Sequence, residues 1–519
     1  GLQATPASRK AWAAKAQAHS ASLPPSVRTL VAYYVAYENG DLQRARELAE
    51  ELIANDSTDA EAWYQLGEAH FHDNPGRAPH MPEYGNIGKA LRAFERAREI
   101  DPRYLLAYRH ILDALGSCAA NAPWLCLADS AVYASQDDLA ARYGADEVDR
   151  IREQARSEQI DVAYAWVDAS PQSALARSAL IKSLMDRERF REARNQLGAL
   201  RASGDTTEAR IWEANLLLQE GEYAQAADTL TLALDDPAAL RTLLTDQGPE
   251  AAFAVLGAGA RIDRIKAFLD QILSVVAGMS DVANGPGGIE LPVSLLGELT
   301  DFQMAAGLAV DPDEARRLAY WWMDTVDSLF ASDSAAWQRA MAATSSTLLQ
   351  AYLTTRDTTI LSRFLAHIDT TGFRTWRTMD AHLALARGDT AHALARVDSH
   401  VRQGDDLEFT GEPGGGRSFA WGDLLVRLGE PAEAIDVYGR LDSTRARIAN
   451  PFLQVRSWAE RGALYQQLGD RDEAIEMYRL FIDAWSGGDD IVQPQVERAR
   501  SAVAALQGQV DLPAEIPGR

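Results

Sequence analysis

Apolar residues recur along this chain at helical spacing, in short segments broken by Gly-Asp, Gly-Glu or Pro-containing turns. The clearest case is 451–485. Trp458, Arg461, Gly462 and Tyr465 sit at offsets of three, four and seven and share one helical face. Leu468-Gly469-Asp470 ends that helix, because Gly tolerates the left-handed C-cap and Asp caps the next N-terminus. Ala474, Tyr478 and Phe481 then line one face of a second helix. The pattern predicts a helical hairpin, with Gly462 letting its two helices approach closely.

The same hairpin is expected from end to end. Residues 1–25 predict one helix and a break at Pro24-Pro25. A repeat array follows over 26–237. Its first unit, 26–59, turns at Asn39-Gly40-Asp41, and its second carries Trp63, Leu66, Gly67 and His70, then Ala90, Phe94, Ala97 and Pro102. A Pro- and Gly-rich loop at 73–87 is inserted between the second unit's helices. From Ala90 to Ala193 is 103 residues, close to three repeats of about 34, and from Ala226 to Ala393 is 167, close to five. The stretch 238–375 is therefore read as divergent helical hairpins, with a loop at 284–293 and a strong helix at 313–330. Clear units return over 376–485, and 486–519 supplies a capping helix and a tail.

These residues resemble the tetratricopeptide repeat, in which Trp, Leu-Gly, Tyr, Ala, Phe, Ala and Pro hold fixed places in about 34 residues. Trp458, Gly462, Tyr465, Ala474 and Tyr478 match in register; Arg461 stands where Leu is usual, and no Pro closes the unit. The resemblance implies an all-α fold, a tetratricopeptide-like α-solenoid forming a right-handed superhelix, with ligand selection on its first-helix face. Residues 60–72, 93–102, 380–397 and the closing hairpin are also similar to repeat regions attached to bacterial serine/threonine kinases and signalling cyclases. The chain itself carries no kinase signature, neither H-R-D nor D-F-G, so no kinase activity is implied.

Composition narrows the partners. Net charge is −24 over 519 residues, and an acidic surface repels nucleic acid and anionic membrane. The longest apolar runs are near ten residues, as at Ala251–Ala260, too short to span a bilayer. Cys118 and Cys126 are the two cysteines. They flank a predicted turn, as either a disulfide or two buried thiols. The chain begins at Gly1 rather than Met; with the cysteine pair, this favours an extracytoplasmic place in a bacterium over the cytoplasm.

Candidate chemistry is sparse. His70, His72 and His80 fall within eleven residues, and histidine with carboxylate suits zinc. The simpler reading packs His70 at the aromatic position of the repeat and leaves the others on a loop. Residues 411–418 approach the phosphate-binding pattern G-x-x-x-x-G-K-[ST], with Arg417 in place of Lys. The acidic segment before them does not suit the buried strand such a loop needs. Tyr320, Trp321 and Trp322 offer a stacking platform or core packing, and Trp12, Trp124 and Trp337 carry the same ambiguity. No G-x-S-x-G or H-E-x-x-H is present. The expected function is a non-catalytic interaction scaffold or sensor that binds a protein or peptide and needs no cofactor. The alternatives are a self-assembling structural subunit and a small-ligand or glycan binder around Tyr320–Trp322.

Overall fold

The computed structural model describes residues 6–73, 87–120, 142–236, 249–265, 267–268, 312–329, 337, 341, 345–368, 375–402, 415–442 and 451–508. Among these residues all regular structure is helical. The fold is all-α and built as a solenoid of helical hairpins, as the periodicity predicts. The chain divides into two compact units, Gly1–Ala209 and Arg210–Arg519.

The first unit runs α1 (Pro6–Ala18), α2 (Pro25–Glu38), α3 (Leu42–Asn55), α4 (Ala60–His72), α5 (Ile87–Ile100), α6 (Leu105–Ala120), α7 (Ala145–Ala169), α8 (Ala174–Met185) and α9 (Phe190–Ala202). Each helix packs on the next in sequence, the contact pattern of a solenoid. The unit boundary falls within α10 (Thr206–Glu220).

The second unit continues with α11 (Tyr223–Leu234), α12 (Pro249–Ala258), α13 (Pro312–Leu329), α14 (Ser345–Thr355), α15 (Thr358–Leu365), α16 (Thr375–Ala386) and α17 (Thr390–Val397). It closes with α18 (Gly415–Leu428), α19 (Pro431–Gly439), α20 (Pro451–Leu468), α21 (Arg471–Trp485) and α22 (Gln493–Gly508). From α13 to α22 the helices again stack in order. The pair α11–α12 departs from this rule and docks on α20 and α21, roughly two hundred residues away in sequence. Tyr223 Oη donates to Gln454 Oε1 at 2.9 Å in the buried contact, and the Asp489 amide donates to the Ala260 carbonyl at 3.0 Å.

One turn recurs at five hairpins. Gly40, Gly221, Gly388, Gly429 and Gly469 have φ between +80° and +90°. The amide of the acidic residue after each bonds back to a first-helix carbonyl at 2.9 Å: Asp41 to Ala36, Glu222 to Leu217, Asp389 to Ala384, Glu430 to Leu425 and Asp470 to Tyr465. Glycine takes that φ at little steric cost, so Gly followed by Asp or Glu marks these hairpins in the sequence.

A second glycine sits in the seam between paired helices. A Cβ on Gly67 would lie 2.4 Å from the Phe94 ring, on Gly422 2.4 Å from Tyr438, and on Gly462 2.8 Å from Tyr478. Sixteen residues separate the last two pairs, but 27 separate Gly67 from Phe94. The difference of eleven equals the number of extra residues that the sequence carries between α4 and α5.

Candidate functional site in the N-terminal unit

Helix α4 carries a polar stripe of Glu61, Gln65, Glu68 and His72, at offsets of four, seven and eleven that keep them on one face. Asp59 starts the helix by accepting the Glu61 and Ala62 amides at 2.9 and 3.3 Å. Side chains from α2, and from α6 and the residue just before it, reach this stripe from either side. Tyr34 Oη donates to Glu61 at 3.1 Å, Gln65 Nε2 donates to it at 2.6 Å, and the Tyr104 hydroxyl donates to its other oxygen. Burial, together with the Glu61 carboxylate, pushes the phenols of Tyr34 and Tyr104 well up, so both act as neutral donors.

Two turns beyond Glu61 along α4, Glu68 meets His110 of α6. His110 Nε2 lies 2.8 Å from Glu68 Oε1, and His72 Nε2 lies 3.6 Å from Glu68 Oε2. Tyr37 Oη donates to Glu68 Oε2 at 3.3 Å. Burial alone would raise the Glu68 carboxyl, but hydrogen bonds and charge from His110 and His72 outweigh it and hold the group at about 2. Burial likewise disfavours the His110 imidazolium, and the Glu68 carboxylate reverses that, leaving its pKa raised. Aromatic rings wall the cluster. The ring centroids of Phe94, Tyr64 and Phe71 lie 5.0, 5.5 and 5.6 Å from that of His110. The arrangement offers two imidazole nitrogens and one carboxylate on a face that also exposes phenols.

The residues singled out in the sequence fall in different places. His70 is buried, and burial followed by the charges of Arg46, Lys89 and Arg92 lowers its pKa to about 4. It stands apart from the cluster that His72 forms with Glu68 and His110. His80 lies outside the described residues, as do Cys126 and Trp124; Cys118 is fully buried near the end of α6. Tyr320, Trp321 and Trp322 on α13 diverge. Trp322 is fully buried in the core with Tyr352 and Phe364, Trp321 is half exposed, and Tyr320 Oη donates to Asp357 at 3.0 Å. Trp12 is exposed, and Trp337 Nε1 donates to Asp327 at 2.8 Å. Residues 411–414 of the Gly-rich stretch lie outside the described residues, and Arg417 falls in the first turn of α18. No described helix is long and apolar enough to cross a membrane.

Sequence proximity did not point to Glu61, Glu68 or His110. A signal was present in the register. Glu68 meets Tyr37, 31 residues earlier, and His110, 42 residues later. Without the eleven inserted residues the two separations are equal, one repeat less one helical turn.

Profiles of the tetratricopeptide repeat match residues 34–104 and 178–241, and a further one matches 455–484. No curated protein sequence matches the chain. Among solved structures, human IFIT1 dimer with m7Gppp-AAAA is 12% identical, with 96% of this chain and 86% of that chain covered at a TM-score of 0.30. Naa15/Naa10 bound to HypK-THB is 14% identical, covering 93% of this chain and 74% of that one at a TM-score of 0.24. The P58(IPK) TPR domain is 12% identical, covering 94% and 100% at a TM-score of 0.20. On the profile matches the repeats are of tetratricopeptide type, a class that suits protein–protein interaction.

Proposed function

We propose that the protein is a non-catalytic interaction scaffold, and that its protein or peptide partner lays a cationic stretch along the face shared by α2, α4 and α6. The observation that carries this reading is Glu61. Its hydrogen-bond partners among the described residues, Tyr34, Gln65 and Tyr104, are all neutral, so its negative charge is solvated by dipoles and not cancelled by them. Tyr34 is 39% exposed beside it, offering a ring on which a Lys or Arg side chain stacks. The net charge of −24 steers a basic segment in the same sense.

The test is fluorescence anisotropy with three labelled peptide sets: Lys/Arg-rich, neutral and Asp/Glu-rich. The basic set is expected to bind, to weaken as salt is added, and to lose about tenfold in affinity with Glu61→Gln. Equal binding by the acidic and neutral sets, or an affinity indifferent to Glu61→Gln, would overturn the reading.

A further inference from the structure

We propose that Glu68, His72 and His110 bind one divalent first-row metal ion, zinc being the best match to the donor set. The proposal goes beyond the peptide-binding reading and does not depend on it.

One ligand atom from each residue can be chosen so that all three lie within 4.8 Å of one another. Zinc takes histidine nitrogen at about 2.0–2.1 Å and carboxylate oxygen at about 2.0–2.2 Å, so donors around one ion sit roughly 3.3–3.5 Å apart. The contacts here, 2.8 Å from His110 Nε2 to Glu68 Oε1 and 3.6 Å from His72 Nε2 to Glu68 Oε2, set one imidazole near that separation from each carboxylate oxygen. Small side-chain rotations suffice to admit the ion. Two ligands come from one helix at positions four apart, and the third from the neighbouring first helix, which is a rigid way to fix them.

Surrounding groups orient the donors as metal sites require. His110 Nδ1 lies 3.2 Å from the Leu106 carbonyl oxygen. With the proton on Nδ1, that nitrogen donates to Leu106, and Nε2, 2.8 Å from Glu68 Oε1, keeps a lone pair for an ion. Tyr37 Oη donates to Glu68 Oε2 at 3.3 Å and steadies the carboxylate. The Phe71 and Tyr37 rings pack against the His72 ring at 5.3 and 5.9 Å. Aromatic walls lower the local dielectric and strengthen the attraction of the ion for its anionic ligand.

The site is open on one side. The His72 side chain is 48% exposed, against 14% for Glu68 and 17% for His110. Three protein ligands leave a fourth tetrahedral position, and it faces solvent on the His72 side. Water fills such a position, or a carboxylate or imidazole from a bound partner replaces it. Two imidazoles and a carboxylate favour zinc over magnesium or calcium, which prefer all-oxygen shells.

The test uses the full chain, stripped with chelator and dialysed, and titrated with Zn²⁺ alone by calorimetry. Co²⁺ serves as an absorbance probe of tetrahedral geometry. One equivalent is expected to bind, with intense visible Co²⁺ bands. His110→Ala and Glu68→Gln should each weaken binding at least about a hundredfold, while His70→Ala should leave it unchanged. His72→Ala removes a half-exposed ligand without opening the core, so it reads the site even if the other variants fail the circular-dichroism check for folding. Absence of saturable binding by the intact chain overturns the proposal. So does an affinity that His72→Ala leaves unchanged. A failure here leaves the peptide result standing, since anisotropy is measured in metal-free buffer.

Discussion

His382 is fully buried in the second unit, with Nε2 donating to the Ala420 carbonyl at 3.0 Å and Arg427 Nη1 3.4 Å from Nδ1. Tyr352 closes one side with its ring centroid 5.3 Å away. Burial lowers its pKa to about 4, with Arg427 and Arg356 acting in the same sense and Asp423 opposing. An unfolded histidine titrates near 6.5. Between those values the unfolded chain takes up a proton that the native chain refuses. The contribution is therefore complete above about pH 6.5 and is lost as pH falls towards 4, up to about 3 kcal/mol. Urea unfolding across that range should show the decline, and His382→Gln, which keeps a donor for Ala420, should flatten it. An equal slope in both proteins would show that other groups dominate. The His382 position on a helix is readable from the sequence; its enclosure by Tyr352, Ala420 and Arg427 is not, because those residues lie 30 to 45 positions away or on either side of it.

At the level of the helix pair, glycine does two opposite things. Gly422 is held against Tyr438, and Gly67 and Gly462 against Phe94 and Tyr478. An added methyl must displace a ring that is itself packed, at a cost of roughly 1–3 kcal/mol. Gly198, in α9, would meet nothing within 4 Å, so there an alanine gains only helix propensity, about 1 kcal/mol. Thermal melts should therefore move in opposite directions, down for Gly422→Ala and up for Gly198→Ala. The same direction for both would mean that the seam is looser than the ring distances indicate. Composition counts these glycines alike; only their partners across the hairpin separate them.

At the level of the whole chain, the second unit is more than a row of neighbours. Phe452 packs where a Cβ on Gly257 would come within 3.3 Å, and its ring lies 5.4 Å from that of Trp485. It joins the α11–α12 pair to the closing hairpin. Phe452→Ala should cost about 3–5 kcal/mol. Hydrogen exchange should then speed up in 249–265 as well as in 451–485. If contacts ran only between sequence neighbours, 249–265 would keep its protection, and that result would refute the docking. The tetratricopeptide profiles stop at residue 241 and resume at 455, so they take in α11 and α21 but leave out Gly257 and Phe452, where this contact is made.

The sequence by itself determined the elements and their pairing. Period, Gly-Asp and Gly-Glu turns and seam glycines act within about 16 residues, apart from the eleven inserted at 73–87, and each has a local steric cause. It also placed His72 among candidate ligands, but with His70 and His80 as companions. Tertiary structure set Glu68 and His110 beside His72 and buried His70 apart from them, because stacked first helices meet one repeat less one turn apart and not at adjacent positions. It sent Trp322 inward and Trp321 outward, since consecutive helical residues differ in direction by about 100°. It also decided that α11–α12 pack on α20–α21. Periodicity identifies which face of a helix is apolar; which distant face it covers is settled only when the whole unit closes.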